Sequence, residues 1–281
     1  MRSETEMATA TATASATLTG NKASLLSSTL VIARRTFLKF IRTPQLVVVG
    51  TIQGAMFLLI FRYVFGGAIQ AGGVKYVNFL APGFITTGII WQGMMSAGGI
   101  AEDLDQGFFD RLRSLPIPRA AVLTGRALAD TGSQVWGLTI MTIIGFLIGF
   151  RLGGSVANGI LAFVLIVVFA FAFEWVFITL GMYAGNAQAA QGMSLMLVPF
   201  TFVSSAFVPV KSMPSGLAAV ARNQPVTFMV DAVRRLVLGP DASATLGLSH
   251  ASGYYIARAL IWSAIIVAVF GSIAVNRYRK G

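Results

Sequence analysis

Six long apolar runs constrain the fold of this chain more than any other feature. They occupy residues 46–65, 79–101, 131–150, 158–182, 191–210 and 259–275. A helix of about 20 apolar residues crosses the hydrocarbon core of a bilayer, which is about 30 Å thick. Charged residues make up only 11% of the chain, whereas they are about 25% of soluble domains. The sequence therefore predicts an all-α membrane protein with six transmembrane helices.

The stretch that follows the fifth run cannot be a continuous transmembrane helix. Lys211 and Arg222 interrupt it, and a helix-like segment over residues 225–238 is closed by Gly239 and Pro240. A helix of that length rises only about 21 Å, at about 1.5 Å per residue. The sequence therefore predicts a short re-entrant or interfacial helical segment before the last span.

This short segment also carries charge. Asp231 precedes Arg234 by three positions and Arg235 by four. One helical face is therefore expected to hold a carboxylate between two guanidiniums. We expect these three side chains to form ion pairs near the outer face of the membrane.

Three regions are predicted along the chain. Residues 1–24 are rich in Thr and Ala and lack a continuous apolar core, so we expect a disordered cytoplasmic tail rather than a secretory signal peptide. Residues 25–43 show helical spacing of apolar residues, with Arg35, Lys39 and Arg42 on the other side. This pattern is typical of an interfacial amphipathic helix. Residues 44–281 are expected to form one six-helix transmembrane domain.

The basic residues predict the orientation. Six spans place both termini on one side of the membrane, and the segments on that side hold 13 basic residues against eight on the other. Because basic residues concentrate on the cytoplasmic side, we expect cytoplasmic termini. The excess of Arg over Lys, beside abundant Ala and Gly, favours a bacterial inner membrane. The net charge of +11 is ascribed to anchoring at the membrane surface and not to nucleic acid.

Composition excludes several kinds of site. The chain has no cysteine, so it has no thiolate metal site and no cysteine nucleophile. Its one histidine, His250, follows Gly239 in a predicted loop. No G-x-x-x-x-G-K-[ST] motif occurs, so nothing can cradle nucleotide phosphates as a P-loop does. We therefore expect no metal, no bound cofactor and no catalytic site in this chain.

Three blocks of sequence together carry a family resemblance. The first is YVNFLAPG at residues 76–83, and the second is GFFDRLRSLPIPR at residues 107–119. The third block consists of Phe207, Pro209, Met213, Pro214, Asn223, Pro225, Asp231, Arg234 and Gly239. With the hydropathy pattern, these blocks resemble the type-2 ABC exporter permeases, especially the daunorubicin-resistance type, over about residues 27–280.

The resemblance implies a permease domain over residues 44–281 and a set of partners. A separate ABC ATPase, in two copies, would bind ATP and Mg²⁺. A second copy of this chain, or a paralogous permease, would complete the exporter, because six spans make half of one. The amphipathic helix would brace the permease against the ATPase, or it would be a simple membrane anchor. The implied cargo is a hydrophobic drug, antibiotic or lipid.

A charge-dense stretch between the second and third runs is expected to face the cytoplasm. Its charged residues and its bend are Glu102, Asp103, Asp105, Asp110, Arg111, Arg113, Pro116 and Arg119. We expect a surface helix that is broken by Pro116 and restarts near Pro118. It is interpreted as the coupling element that docks on the ATPase, where fixed charges supply specificity. The alternative is an ordinary solvated loop.

Glu174 lies inside the fourth run, where a carboxylate is costly unless it is paired, protonated or hydrated. One interpretation is a structural pairing with an arginine near the inner ends of the helices, such as Arg126. Another is proton coupling or the binding of cationic substrates.

The translocation path is predicted from large or adaptable side chains in the spans. These are Gln53, Met56, Phe57, Met94, Phe200, Phe202 and Phe207. Such groups suit flat hydrophobic molecules, although they also serve as lipid-facing residues.

The rival hypothesis is an ATP-independent membrane protein. It would be either a proton-driven secondary transporter that uses Glu174 or a non-transporting receptor. Secondary transporters often contain internal repeats, and we find no such symmetry between residues 45–150 and 158–275.

Overall fold

The computed structural model describes residues 25–41, 44–67, 69, 73–114 and 118–280. The predicted tail, Arg42 and Pro116 lie outside these residues, as do the side chains of Arg35, Lys39 and Arg113. The described residues form helices and connecting turns and contain no strand, so the all-α prediction is confirmed for them.

The helices follow one another in the order α1 Leu25–Ile41, α2 Pro44–Tyr63, α3 Tyr76–Asp105, α4 Phe108–Arg113, α5 Arg119–Leu147, α6 Val156–Tyr183, α7 Ala187–Leu195, α8 Val198–Phe202, α9 Ser215–Asn223, α10 Pro225–Thr245 and α11 Ser252–Lys280. A short 3₁₀ turn, Val210–Ser212, precedes α9. Residues of the predicted amphipathic segment form the helix α1, which packs against α5. The interfacial position of this helix stays a prediction.

Two of the described helices, α6 and α11, are long and apolar enough to cross a membrane by length and composition. The predicted runs 79–101 and 131–150 lie largely within the longer helices α3 and α5. The arrangement with six spans stays a prediction.

The fifth predicted span is wrong as a continuous helix. Residues 191–210 are divided between the end of α7, the five-residue helix α8 and a helix-free stretch up to the 3₁₀ turn. Pro199 has no N–H to donate to the carbonyl of Leu195, so the α-helical ladder cannot pass this point unbroken. Tighter turns replace it, in which Leu197 donates to the carbonyl of Ser194 at 3.0 Å.

Helix α6 lies at the centre of the bundle and packs against α3, α5, α10 and α11. Its sequence is apolar on all sides, as is typical of a helix with neighbours all around it. Its Phe169 and Phe177 have no exposed surface. Helix α3 is the second core element, because it contacts α5, α6, α7 and α10.

The bundle has two ends, which we name by their glycines. At the Gly107 end, α3 passes into α4, and the guanidinium of Arg119 donates to the carbonyl of Arg279 at 2.9 Å. At the Gly153 end, the N–H of Gly153 donates to the carbonyl of Val237 at 2.9 Å. The connection between α5 and α6 is therefore hydrogen-bonded to the end of the short helical segment that stops at Gly239.

The predicted helix over residues 225–238 is confirmed as the first part of α10. It ends at Gly239, whose φ of 79° is outside the helical range, and a further turn begins at Pro240. A φ of this sign is strained for any residue except glycine. The segment packs against α3, α6 and α11, and 12 of its residues are buried. This burial favours the re-entrant alternative over a helix that lies flat on the surface.

Candidate functional site

Polar side chains from α3, α5 and α6 meet inside the half of the bundle nearer the Gly107 end. This buried polar cluster consists of Ser96, Asp103, Arg126, Asp130, Gln134 and Glu174. It contains three carboxyl groups and one guanidinium. Its formal charge would therefore be −2 if every group were ionised.

Arg126 is the cation of the cluster. Its Nε donates to Asp130 Oδ2 at 2.7 Å, and its Nη1 pairs with Asp103 Oδ2. The three side chains are 13–15% exposed. Gly99 leaves room for the guanidinium, because a Cβ at this position would lie 2.8 Å from Arg126 Nη2. The two aspartates therefore tie α3 and α5 together through one arginine.

Glu174 is completely buried and is held by neutral groups. Ser96 Oγ lies 2.8 Å from Glu174 Oε2, and Gln134 Nε2 donates to Glu174 Oε1. The predicted direct pairing of Glu174 with Arg126 is wrong, because the guanidinium is taken by Asp103 and Asp130. Neutral partners satisfy the hydrogen-bonding capacity of a buried carboxyl but do not cancel its charge.

The sequence reasoning missed Ser96, Asp130 and Gln134. Asp130 stands one residue before the start of the predicted third run, so the hydropathy pattern left it outside the membrane region. A signal was nevertheless present. Arg126, Asp130 and Gln134 follow one another at intervals of four, which places them on one face of a helix.

The predicted coupling stretch is not a single surface helix. Helix α3 continues to Asp105 and is capped by Gln106. Helix α4 begins after Gly107, whose φ is 64°. A break that the sequence reasoning did not predict therefore occurs at Gly107, because a left-handed backbone ends a helix. The break predicted at Pro116 lies outside the described residues. The predicted restart near Pro118 is confirmed, since α5 begins at Arg119.

The charged residues of this stretch divide into two groups. Asp103 faces Arg126 inside the bundle, whereas Glu102, Asp105 and Asp110 are exposed. Arg111 is also exposed, and its Nη2 donates to the carbonyl of Gln106 at 3.1 Å. Arg119 is exposed as well and binds the last turn of α11.

Phe109 and Leu112 pack helix α4 against the bundle. Phe109 is only 2% exposed. Its ring meets the ring of Tyr278 edge to face at 5.5 Å, and the Tyr278 hydroxyl donates to the Phe109 carbonyl at 3.5 Å. The exposed charges of α4 are therefore presented on a short helix whose opposite side is fixed to α11.

The charged residues of α10 differ from the prediction. Arg234 is 1% exposed, and its Nη1 is 3.5 Å from Asp231 Oδ1, which also accepts a hydrogen bond from Ser205 Oγ at 2.7 Å. Arg235 does not share this carboxylate, because its side chain points away and donates to the carbonyl of Pro240. The expected pairing of Asp231 with Arg234 is therefore present, but it is buried, and the expected pairing with Arg235 is wrong.

Backbone carbonyls supply most of the partners of Arg234. Its guanidinium donates to Phe79 O at 3.0 and 3.2 Å, to Ser205 O at 2.9 Å and to Ala206 O at 3.2 Å. Its Cζ also lies 3.9 Å from the ring centroid of Phe79. This arginine therefore joins α10 to α3 and to the loop after α8.

The residues predicted to line a translocation path lie on α2, on α3, and on α8 with the loop after it. Gln53, Met56 and Phe57 are exposed on α2, where the ring of Phe57 stacks on Trp91 at 6.4 Å. Met94 is half-buried on α3, and Phe200 and Phe202 are exposed on α8. Phe207 is buried, and its ring lies against Phe202 at 5.0 Å, Phe61 at 5.1 Å and Phe84 at 6.3 Å.

Known proteins resemble this chain over most of its length. It is 30% identical over 260 residues to the daunorubicin resistance ABC transporter permease protein DrrB1 of Streptomyces coeruleorubidus. The aligned region covers 92% of this chain and 88% of that protein. It is 22% identical to the probable doxorubicin resistance ABC transporter permease protein DrrC of Mycobacterium tuberculosis, covering 91% of this chain and 89% of the relative. A putative transport permease, ycf38 of Porphyra purpurea, is 25% identical over 76% of this chain and 75% of its own length.

The family comparison agrees with these relatives. The model of the ABC-2 type transporter family matches residues 27–238, from the first helix to the residue before the break in α10. The match includes the buried polar cluster, α4, and Asp231, Arg234 and Arg235 of α10. This membrane protein belongs to the ABC-2 type transporter family, as the sequence resemblance predicted.

Proposed function

We propose that this chain is the membrane subunit of an ATP-driven exporter that moves a hydrophobic drug, antibiotic or lipid out of a bacterial cell. The observation that carries the proposal is the similarity over 92% of the chain to a daunorubicin resistance permease. The chain would lie in the inner membrane with both termini in the cytoplasm, as the basic residues indicate. Membership of the ABC-2 family favours this function over a secondary transporter or a receptor.

The energy source of the proposed exporter is a separate ATPase that binds ATP and Mg²⁺. The chain has no phosphate-binding loop of the Walker type, so it has no means to hold a nucleotide in that manner. Two ATPase subunits and a second permease, either identical or paralogous, would complete the assembly.

Co-purification tests this partnership. The neighbouring reading frames are searched for a soluble Walker-type ATPase, which is then produced together with this chain, and one subunit is tagged. We expect the two to be isolated together, with ATP hydrolysis that the mass-verified chain alone does not show. Hydrolysis by the chain alone would refute the division of labour.

The ATPase would dock at the Gly107 end. Glu102, Asp105 and Asp110 are exposed there, and Phe109 fixes the opposite side of α4 to the bundle. A docking element needs a defined position, which the buried ring supplies, and charges, which steer association and select the correct partner. These features support the coupling role proposed for residues 102–119.

A charge reversal tests the docking site. The double variant Asp105→Lys and Asp110→Lys is expected to bind the ATPase more weakly or to uncouple hydrolysis from transport, while it still inserts and folds. The matched control is Asp241→Lys, which makes the same reversal at an exposed position at the Gly153 end. Normal binding and export by the double variant would make the stretch a solvated connector.

The cargo is tested in cells that produce the chain together with its ATPase. The names of two relatives refer to daunorubicin and doxorubicin resistance, so these two drugs are the first candidates. We expect increased resistance to at least one of them, and loss of this resistance in the Asp105 and Asp110 double variant. Unchanged sensitivity to both drugs would direct the search to lipids.

A further inference from the structure

Ser96 of the buried polar cluster contacts two carboxyl groups, but its hydroxyl has only one hydrogen to donate. Ser96 Oγ lies 2.6 Å from Asp130 Oδ2 and 2.8 Å from Glu174 Oε2. Both distances are within the normal range for a hydrogen bond between two oxygens. A serine hydroxyl has one hydrogen, and an ionised carboxylate has none. Two contacts therefore require a second hydrogen, which one of the two carboxyl groups must carry.

We propose that this cluster is a proton-binding site, in which Asp130 and Glu174 share one proton through Ser96. The proton resides mainly on Glu174, because Asp130 is already paired with Arg126 at 2.7 Å, whereas Glu174 makes no ion pair within 4 Å in the part of the chain that the structure describes. Glu174 then donates to Ser96, and Ser96 donates to Asp130. Every oxygen–oxygen contact in this chain of groups has one hydrogen.

Gln134 binds the other oxygen of the Glu174 carboxyl. It is only 3% exposed, and its Nε2 donates to Glu174 Oε1. An oxygen of a carboxylate and the carbonyl oxygen of a protonated carboxyl can both accept from an amide N–H. The proton therefore lies on Oε2, which faces Ser96, while Oε1 accepts from Gln134.

The geometry favours a proton over a metal ion or a substrate amine. The three carboxyl groups do not converge on one point, because Arg126 lies between Asp103 and Asp130, and Ser96 lies between Asp130 and Glu174. Glu174 has no exposed surface. A proton is the one cation that needs no additional volume at such a place.

The charged surroundings of Glu174 come from neighbouring helices. Asp130 and Arg126 of α5 interact with it electrostatically, and Asp103 of α3 follows behind Arg126. Helix α7 contains no titratable residue. The charged pair of α10, Asp231 and Arg234, is bonded to Phe79 and Ser205 near the start of α3. On α11, Arg277, Arg279 and Lys280 are exposed and Tyr278 is bonded to Phe109. On α1, which packs against α5, Arg34 is exposed.

Loss of the proton would act on three helices at once. Three carboxylates would then face one guanidinium, and the repulsion would fall between α5 and α6, whose Asp130 and Glu174 are joined only through Ser96 of α3. Proton binding therefore favours close packing of these helices. The site stands independently of the proposed transport function, since it depends on contacts within this chain alone.

Infrared spectroscopy of the purified chain in lipid nanodiscs tests the site. At pH 7 we expect a carbonyl band of one protonated carboxyl group per chain, which shifts in D₂O. Glu174→Gln should remove the band, whereas Asp241→Asn, a change at an exposed carboxylate, should leave it. A wild-type spectrum without this band would overturn the proposal, and so would an unchanged band in Glu174→Gln.

Thermal unfolding gives a second test, which does not depend on detecting the infrared carbonyl band. At pH values where glutamate is ionised in the unfolded chain, the folded chain would hold one more proton than the unfolded chain. Its unfolding equilibrium constant should therefore rise about tenfold per pH unit until the site is empty. Glu174→Gln imitates the protonated carboxyl. The melting temperature of this variant minus that of the wild type should therefore increase as the pH rises. A constant difference between the two proteins would overturn the proposal.

Discussion

Arg234 should be one of the most sensitive residues of the chain. The perturbation is Arg234→Met, which retains an apolar chain of similar length and removes the guanidinium. The change leaves Asp231 buried without its cation and withdraws donors from the carbonyls of Phe79, Ser205 and Ala206. The methionine cannot replace any of these hydrogen bonds.

The magnitude follows from the type of interaction. Removal of one partner of a buried ion pair costs about 3–5 kcal/mol, and a buried acceptor left without a donor costs about 1–3 kcal/mol. Because Ser205 still donates to Asp231, we do not add the two costs in full. We expect a total loss of about 3–5 kcal/mol of unfolding free energy. For a chain of this size the melting temperature should fall on the order of 10 °C.

The assay is label-free thermal unfolding of the purified protein, followed by tryptophan fluorescence. The matched control is Arg235→Met, the same change at the next position, where the side chain is partly exposed and its guanidinium binds the carbonyl of Pro240. We expect the control to cost less than about 1 kcal/mol. Equal, small shifts for the two variants would refute the claim that Arg234 fixes α10 to α3.

Three further changes have defined outcomes in the same unfolding assay. Phe109→Ala removes the ring that meets Tyr278 and should cost about 3–5 kcal/mol, with weaker ATPase binding than its stability loss alone explains. Arg126→Met leaves two aspartates unpaired and should cost about 3–5 kcal/mol, whereas a cost below 1 kcal/mol would contradict the burial of the cluster. Gly239→Ala forces a side chain onto a φ of 79° and should cost about 1–3 kcal/mol, while Gly216→Ala, in open space, should be neutral or stabilising.

Local chemistry made part of the fold predictable. The stop after residue 238 follows from a Gly-Pro pair, because glycine adopts a backbone that ends a helix and proline cannot continue its hydrogen-bond ladder. The start of α5 after Pro118 follows from the same rules. These elements depend on neighbours in sequence, so one sequence was sufficient for them.

The site depends on the rotation of each helix about its axis, which hydropathy does not report. Asp103 and Asp105 are two positions apart, and one binds Arg126 while the other faces outwards. Arg234 and Arg235 are adjacent and lie about 100° apart around the helix, so one is buried among carbonyls and the other is partly exposed. Which of two such residues turns inwards is decided by contacts with other helices.

Helix α3 connects the two groups of buried charge. Arg234 binds the carbonyl of Phe79 near one end of the helix, and Asp103 binds Arg126 near the other. These points are about 36 Å apart, at about 1.5 Å per residue. Apolar contacts are non-directional, so packing alone would permit neighbouring helices to slide, whereas charge-assisted hydrogen bonds fix their register. A displacement of α4 in the proposed exporter would therefore move α3 as a unit and carry α10 with it at the Gly153 end.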